Sequence, residues 1–535
     1  MHWAERTAAN LAHRGSSHLI AAGITPSGEF HIGHIREILT CDMIVRGCRQ
    51  AGLDAELLFI VDSMDPLRKV YSFLSPDYEK YIGRPLYQIP PPDENGIPIA
   101  DSEKSYAEHF LNPFLDALNE LGVELKLSWN HKEYKEGKFE SASRIFLDNR
   151  EKVARILTEV SGRPLEEDWW PYSPIGHDGS FDGITITGWE DPYVTWIDSN
   201  GKEGKSHIGR DEGKLPWRLD WPAKWDFHGV TCEPFGKDHA ASGGSYATGR
   251  LLVEILGSKA PHPVPYEWIQ LKGMGPMSSS ANITVGPLEA LEIVPPEILR
   301  YLIARNKPNR HIEFDTGGSL LEMADQYERL LSTWNPDEPP GEEATDRVRT
   351  AWDVDRAKIS MSQTDPNTSI NNFDSDAYVS FRHLSMVAQV RSDDEDVWKS
   401  LRTSGLLEGQ PNRTLIDRLN RMRNWINSEH FPDEYRIEIS TELTDDAKAS
   451  FNEGDLNYLK TLQQSLSTCE WKSAIINDHI CNLARENGMD LRNAFVILYN
   501  IHLGKPHGPR LASVLVEIPR ETVIHALENA INSLD

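Results

Sequence analysis

The stretch from Ser17 to Gln50 restricts the fold of this chain more than any other. An apolar run, Ser17-His18-Leu19-Ile20-Ala21-Ala22, leads into Gly23-Ile24-Thr25-Pro26-Ser27-Gly28-Glu29-Phe30-His31-Ile32-Gly33-His34. Beyond it, Ile35, Ile38, Leu39, Met43 and Ile44 recur at helical spacing. The pattern predicts a short buried strand, a turn punctuated by glycine and proline, and a helix. The first turn of such a helix has unpaired N–H groups and a partial positive charge, both suited to phosphate oxygens. Gly28 and Gly33 are expected to let a ligand approach the backbone, and His31 and His34 to point to one side as hydrogen-bond donors. A solvated loop is the alternative, since four-residue matches arise readily by chance.

A second strand is expected over Ala55 to Val61, parallel to the first, because strand, helix and strand at this spacing form a β-α-β unit. Asp62 and Asp65 follow its carboxyl end, where ligands collect in open parallel sheets; for Asp65, helix capping competes. From Tyr71 to about Lys214 the rhythm breaks. Pro85 to Pro98 is irregular, Tyr106 to Gly122 and Ser141 to Gly162 read as amphipathic helices, and Gly183 to Asp198 alternates like a hairpin. Lys214-Leu215-Pro216-Trp217-Arg218-Leu219-Asp220-Trp221-Pro222 then mixes aromatic and charged residues in a way that suits a pocket with an apolar wall and an acid. Cys232 to Tyr246 runs from a strand end into a Gly-Gly helix start. From Gly286 helices dominate, with an acidic, proline-rich stretch at Asn335 to Glu343, and an all-α domain is expected beyond Ser380.

The 535 residues suffice for three or four domains, and 39% hydrophobic with 26% charged residues reads as globular. No apolar run reaches the roughly 18 residues needed to cross a bilayer, and the first residues lack the order of a signal peptide, so a cytoplasmic location is expected. The five cysteines are scattered and never spaced C-x-x-C, which argues against both a disulfide framework and a cysteine zinc site. A net charge of −27 disfavours loose nucleic-acid binding but leaves room for a local basic stripe.

Thr25-Pro26-Ser27-Gly28 with His31-Ile32-Gly33-His34, taken with the distant Pro276-Met277-Ser278-Ser279-Ser280, resembles the two signature motifs of class I aminoacyl-tRNA synthetases. More narrowly, the chain resembles the class I lysyl-tRNA synthetases from its first motif to its last fifty residues. The resemblance implies an α/β, Rossmann-type parallel-sheet catalytic domain with a connective insertion, followed by an all-α domain. Boundaries are expected at 1–70 and 215–290 for the catalytic domain, 71–214 for the insertion, 291–345 for a helical stem-contact region and 346–535 for anticodon binding. It implies ATP, with Mg²⁺, at Pro26, Ser27, Gly28, His31, Gly33, His34, Met277 and Ser279. Catalysis would involve His31, His34, Ser278, Ser279 and Ser280, and Lys272 would stand in for motif lysines that this chain lacks. A lysine pocket is implied at Gly23, Thr25, Trp217, His239 and Tyr266. A buried ammonium there needs an acid, for which Asp62 and Asp220 are the candidates.

tRNA contacts are expected at Arg305, Lys307 and Arg310, at Arg418 and Arg421 on one helix, and at Lys505 and Arg510 in the tail Leu503 to Arg510. For all of these, surface solubility is the competing reading. Positions where relatives hold zinc correspond to Gly176, Gly179, Ile197 and Asn200, and a second such site to Asp93, Ser102, Glu103 and His109, so no zinc is expected. A monomer without membrane contact is expected, acting on L-lysine, ATP and tRNA(Lys). A small-molecule adenylyltransferase and a non-catalytic tRNA-binding relative are the alternatives.

Overall fold

The computed structural model describes all residues except 163, 273–274, 277–284, 367–378, 441, 450 and 535, and omits the side chains of 275, 276, 446 and 453. Contacts divide the described chain into two compact units. The first comprises residues 1–291, 296–314 and 334–370, and the second 292–295, 315–333 and 371–535. The expected boundary at 345/346 is therefore not where the contacts divide, because the helix Asp346–Ser362 clusters with the first unit.

The first unit is built on a parallel sheet. Strand β1 (Ser17–Ile24) is followed by helix α1 (Ile32–Gln50) and strand β2 (Asp54–Val61), the β-α-β unit expected. Strand β3 (Lys126–Trp129) joins β2. After the insertion come helix α2 (Trp217–His228), strand β4 (Cys232–Gly236) and strand β5 (His262–Tyr266). The order is β5-β4-β1-β2-β3, with every neighbouring pair parallel. Gly23 stands opposite Ile60 and Ile24 opposite Val61, so β1 and β2 end together; Tyr266 stands opposite Gly236, so β4 and β5 do too. The chain leaves β1 toward β2 and leaves β4 toward β5. A crevice therefore opens at the carboxyl ends between β1 and β4, the switch point at which open α/β sheets bind ligands.

Helix α1 is more deeply enclosed than its apolar spacing suggests. Ile35, Ile38, Leu39, Met43 and Ile44 are buried, but so are Arg36, Asp42 and Arg46. The helices Trp3–Ala12 and Pro296–Ala304 pack against it. A Cβ at Gly47 would stand 3.0 Å from the Ala4 carbonyl oxygen, so the first of these contacts is between backbones. Asp42 receives Arg300 at 2.5 Å and Arg46 at 2.9 Å. Arg300 also donates to the Leu121 and Met361 carbonyls, and Arg46 to those of Gly122 and Gln363. These bonds tie the residues around Met361 to the first unit. A buried charge is tolerated only when paired and hydrogen-bonded, as each of these is.

In the insertion, the expected hairpin is the first part of a three-stranded antiparallel sheet, Ile184–Glu190, Tyr193–Asp198 and Glu203–His207. The helix expected over Ser141 to Gly162 is two, Glu140–Asp148 and Arg150–Ser161. Where relatives were expected to carry zinc ligands, side-chain oxygens close the turns. Asp178 Oδ1 accepts from the Ser180 amide, and Asp198 Oδ1 from the amides of Asn200 and Lys202, each at 2.9 Å. Asp93 Oδ1 does the same for Asn95 and Ile97. An Asp side chain that receives amides two residues or more ahead stabilises a turn without metal.

The second unit is helical. Its core holds Trp425, whose indole N–H donates to the Thr316 carbonyl, and Arg418, which is 1% exposed and paired with Glu328.

Candidate functional site

A cavity of about 400 Å³ occupies the crevice at the strand ends. Gly23 of β1, Ile60 and Asp62 at the end of β2, Glu233 to Gly236 of β4 and Tyr266 of β5 line it. Helix α1 adds His31, Gly33, His34 and Glu37; α2 adds Trp217, Trp221, Lys224 and Trp225; and Asp238, His239, Trp268 and Ile269 complete it.

The two histidines form the cap of α1. His31 is the N-cap residue and its Nδ1 accepts from the Gly33 amide at 3.1 Å; His34 Nδ1 accepts from the His31 amide at 3.1 Å. An amide can only donate, so the His31 Nδ1 is unprotonated and that ring carries its hydrogen on Nε2, while the His34 Nδ1 also lies 3.2 Å from the His31 carbonyl oxygen. Burial pushes His31 down to about 4 and His34 down to about 3, so both are neutral donors at neutral pH. Their ring centroids are 4.0 Å apart. This is the side-by-side pair expected from the spacing. Gly28, by contrast, is not free for a ligand: a Cβ there would meet Phe73 Cζ at 2.9 Å. The glycine is required by packing. Pro26 is likewise buried, and Ser27 lends its carbonyl to the Tyr106 hydroxyl at 2.8 Å.

The aromatic wall comes from α2. Trp217 and Trp221, one turn apart, stack with centroids 5.6 Å apart, and His239 lies 5.4 Å from Trp217 and 5.6 Å from Trp221. Glu233 fixes the wall from behind, with Oε1 accepting from the Trp221 indole at 2.6 Å and Oε2 from that of Trp225. Burial raises Glu233 to about 8 despite those two donors.

The acids are not deployed as the sequence suggested. Lys224 bridges Asp62 and Asp220, the latter at 2.5 Å, and Asp220 also accepts from the Tyr134 hydroxyl at 2.6 Å. Against the cost of burial, Asp220 and Asp62 hold Lys224 in its ammonium form. Asp220 is 1% exposed and does not line the cavity, which corrects its expected role as an acid for a substrate ammonium. Asp62 faces the cavity but already serves an internal lysine. Thr25 does not line the cavity either; its hydroxyl donates to Asp65 at 2.8 Å, and Asp65 pairs with Lys214. Asp65 is thus an ion-pair partner rather than a helix cap.

The acid that the sequence reading missed is Glu37. Its Oε2 accepts from the Tyr266 hydroxyl at 2.6 Å and its Oε1 from the Gly23 amide at 3.3 Å. Burial raises it to about 7 against those two donors. Among the described residues no basic side chain stands within ion-pair distance of it. Its position three residues beyond His34, hence on the same helical face, was the available signal. Trp221, one turn beyond Trp217, was legible in the same way.

Met277 and Ser278 to Ser280 lie outside the described residues. Lys272 follows the strand segment Ile269–Leu271, its amide donating to the Phe314 carbonyl at 3.0 Å, and it is not among the lining residues. Lys237 pairs with Glu267 at 2.7 Å and lies 4.8 Å from the centre of the Trp268 ring. Among the described residues no group of three or more His, Cys, Asp or Glu is arranged to hold a metal.

Of the basic residues expected to face RNA, Lys307 and Arg310 are exposed, on a turn whose carbonyls at Pro308 and Arg310 accept from Arg36 at 2.8 Å. Arg305 is half-buried, 5.8 Å from the Tyr301 ring centre. Burial removes Arg418 from any surface contact, and that expectation is corrected. Arg421 is bound by both oxygens of Asp417, at 2.7 and 3.1 Å. Lys505 donates to the Arg436 carbonyl at 2.6 Å, so its ammonium is committed inside the protein. Arg510 is exposed.

The family described as tRNA synthetases class I (K) matches residues 1–358, and that described as anticodon binding domain matches residues 412–531. The chain is 37% identical to the lysine–tRNA ligase of Archaeoglobus fulgidus over 98% of this chain and 100% of that one. It is 36% identical to the lysine–tRNA ligase of Methanocaldococcus jannaschii, over 98% of this chain and 99% of that one. With that of Picrophilus torridus it shares 33% identity, over 98% of each.

Proposed function

The chain belongs to the class I lysyl-tRNA synthetases, and from that premise we propose that the cavity at the strand ends is where L-lysine is activated by Mg²⁺-bound ATP before transfer to the 3′ adenosine of tRNA(Lys). The observation that carries this reading is Glu37. A carboxyl group buried beside an aromatic-walled cavity, with two neutral donors and no cation among the described residues, is raised by desolvation and would be relieved by a substrate ammonium. Lysine brings two such groups. Glu37 receives one of them, Trp217 and Trp221 line the path of the methylenes, and Tyr266 and Gly23 hold the carboxylate in place.

Activation is an in-line attack of the lysine carboxylate on the α-phosphorus, which breaks the bond to the β-phosphate oxygen and releases pyrophosphate. His31, through Nε2–H, and His34 present ring donors to phosphate oxygens as negative charge builds there, and the N-terminus of α1 adds its partial positive charge. Because both rings are already neutral and oriented by the backbone, they need no proton rearrangement on reaction. The adenylate then passes its lysyl group to the ribose hydroxyl of the terminal adenosine, with AMP leaving. Mg²⁺ enters with ATP as part of the substrate.

The test is ATP–pyrophosphate exchange across a panel of amino acids, with and without tRNA, followed by charging of tRNA(Lys). Exchange with lysine and transfer to that tRNA are expected. Preference for another amino acid would overturn the reading of the pocket, and tRNA binding without turnover would identify a non-catalytic relative.

A further inference from the structure

A second cavity, of about 670 Å³, lies wholly within the helical unit. It is formed where the tail turn His507 to Arg510 meets the helix Phe381–Val390 and the short turn Asp433–Tyr435. Internal bonds hold these pieces together. Tyr499 points its hydroxyl at the carbonyls of Pro509, at 2.5 Å, and Gly508, at 3.2 Å. Lys505 donates to the Arg436 carbonyl, which fastens the tail to the segment that carries Tyr435. Gly504, at φ +64° in the left-handed region, ends the preceding helix and turns the chain toward that contact.

The lining is a combination of three kinds of group. Met386 and Pro509 are apolar, and Tyr435 supplies an aromatic ring on which Arg382, itself paired with Asp325 at 2.7 Å, lies with its guanidinium 5.5 Å from the ring centre. His507 and Arg510 are exposed at the rim, and among the described residues their side chains have no hydrogen-bond or ion-pair partner. By contrast, Arg418 pairs with Glu328, Arg421 with Asp417, Arg423 with Asp394 and Arg436 with Asp433. In a chain of net charge −27, two unengaged basic side chains beside an aromatic ring mark a place for an anion with a flat, partly apolar body.

We propose that this cavity takes one unstacked base of the tRNA anticodon loop, with Tyr435 as the stacking face and Arg510 and His507 on the adjoining phosphate. Single-stranded loops are read in this way, by bases splayed onto aromatic rings beside guanidinium groups, whereas duplex RNA offers no free base. The volume lies in the range of small-ligand sites and so accommodates a nucleotide rather than one side chain. The proposal rests on the tRNA-charging reading and adds where the loop is read.

The test uses the whole enzyme and full-length tRNA(Lys) transcripts. Base–aromatic stacking is worth about 1–3 kcal/mol on alanine substitution, which corresponds to about 5- to 150-fold in affinity. Tyr435→Ala is therefore expected to raise the KM for tRNA by that factor, with kcat at saturating tRNA and lysine-dependent pyrophosphate exchange unchanged. Tyr435→Phe is expected to retain the wild-type KM. Arg510→Ala and His507→Ala, both at exposed positions, are each expected to raise KM, and Arg510→Ala also to reduce its salt dependence. Transcripts substituted at single anticodon-loop positions supply the decisive arm: at one position, the penalty seen with the wild-type enzyme is expected to vanish in Tyr435→Ala. A wild-type KM in Arg510→Ala and Tyr435→Ala together, or an undiminished penalty at every loop position, overturns the proposal. Loss of wild-type exchange with lysine would instead overturn the charging reading itself.

Discussion

Tyr266 donates its hydroxyl to Glu37 across 2.6 Å, joining the end of an edge strand to the helix that carries the two histidines. The bond fixes a carboxylate at the cavity that has no basic partner among the described residues. Glu37→Gln keeps the size of the side chain and removes its charge. A hydrogen bond to a charged group is worth about 1.5–3 kcal/mol, so the KM for lysine is expected to rise by about 10- to 150-fold in pyrophosphate exchange. ATP binding, through the helix start and His31, is expected to change little. Tyr266→Phe is expected to have a smaller effect in the same direction.

The raised pKa of Glu37, about 7, sets a pH profile. Below that value the free enzyme holds a neutral carboxyl and binds an ammonium poorly, so kcat/KM for lysine is expected to rise with pH and level off above about 7. The lysine side chain stays charged throughout, with its pKa near 10.4. Asp62, raised by burial to about 6, and Glu233, raised to about 8, also face the cavity. Glu37→Gln identifies the group responsible, since it is expected to abolish the limb near 7. Folding carries the opposite sign. A carboxyl whose pKa rises on folding contributes stability below about 4.5 that is lost as pH rises through about 7. The free protein is therefore expected to lose stability over that interval and to regain it when lysine is added, as melting curves would record.

His31→Ala and His34→Ala each remove a preorganised donor from the phosphate site. Adenylate formation is expected to slow by roughly 10²–10³, the usual cost of losing such a donor. His31 also caps α1, so its loss is expected to lower stability by about 1 kcal/mol. Unchanged exchange in both variants would remove the histidines from the mechanism.

The strand-turn-helix at the start was legible because its signal is local: an apolar run, a turn and helical spacing, all within one stretch. Lys224 was not. Asp220 and Lys224 stand at the i,i+4 spacing of an ordinary surface pair, and only tertiary packing sets them at 1% and 3% exposure beneath Asp62. Arg418 misled for the same reason, since helical charge spacing reads alike whether the arginine meets water or Glu328. The turn-closing role of Asp178 and Asp198, in contrast, follows from residue type at a turn and was within reach of the sequence. The burial of Lys224 makes it a sensitive probe. Lys224→Met strands two buried carboxylates and is expected to cost about 3–5 kcal/mol of stability, measured by denaturant unfolding. Adding Asp220→Asn is expected to restore part of it. Equal stability of Lys224→Met and the parent would show that the bridge is not formed.

The remaining question is which group meets the charge that develops on pyrophosphate, since the second signature motif has Pro276 and Ser279 where lysines are expected, and Ala281 after it. Three sources are at hand: the Mg²⁺ that accompanies ATP, the neutral donors His31 and His34, and a lysine from the neighbouring chain. Lys237 is engaged by Glu267 and lies over Trp268, so moving it onto a phosphate would break an ion pair. Lys272 leads into the motif, and its amide donates to the Phe314 carbonyl at 3.0 Å. If it acts, its charge matters chiefly in the transition state, where pyrophosphate separates. Lys272→Ala is then expected to lower the rate of adenylate formation by about tenfold or more while the KM for ATP changes little, the signature of an interaction made only there. Lysine introduced at Ser279 or Ala281 is expected to recover part of that loss. If Lys272→Ala leaves exchange intact and Ser279→Ala abolishes it, the serines and Mg²⁺ suffice, and no lysine is borrowed.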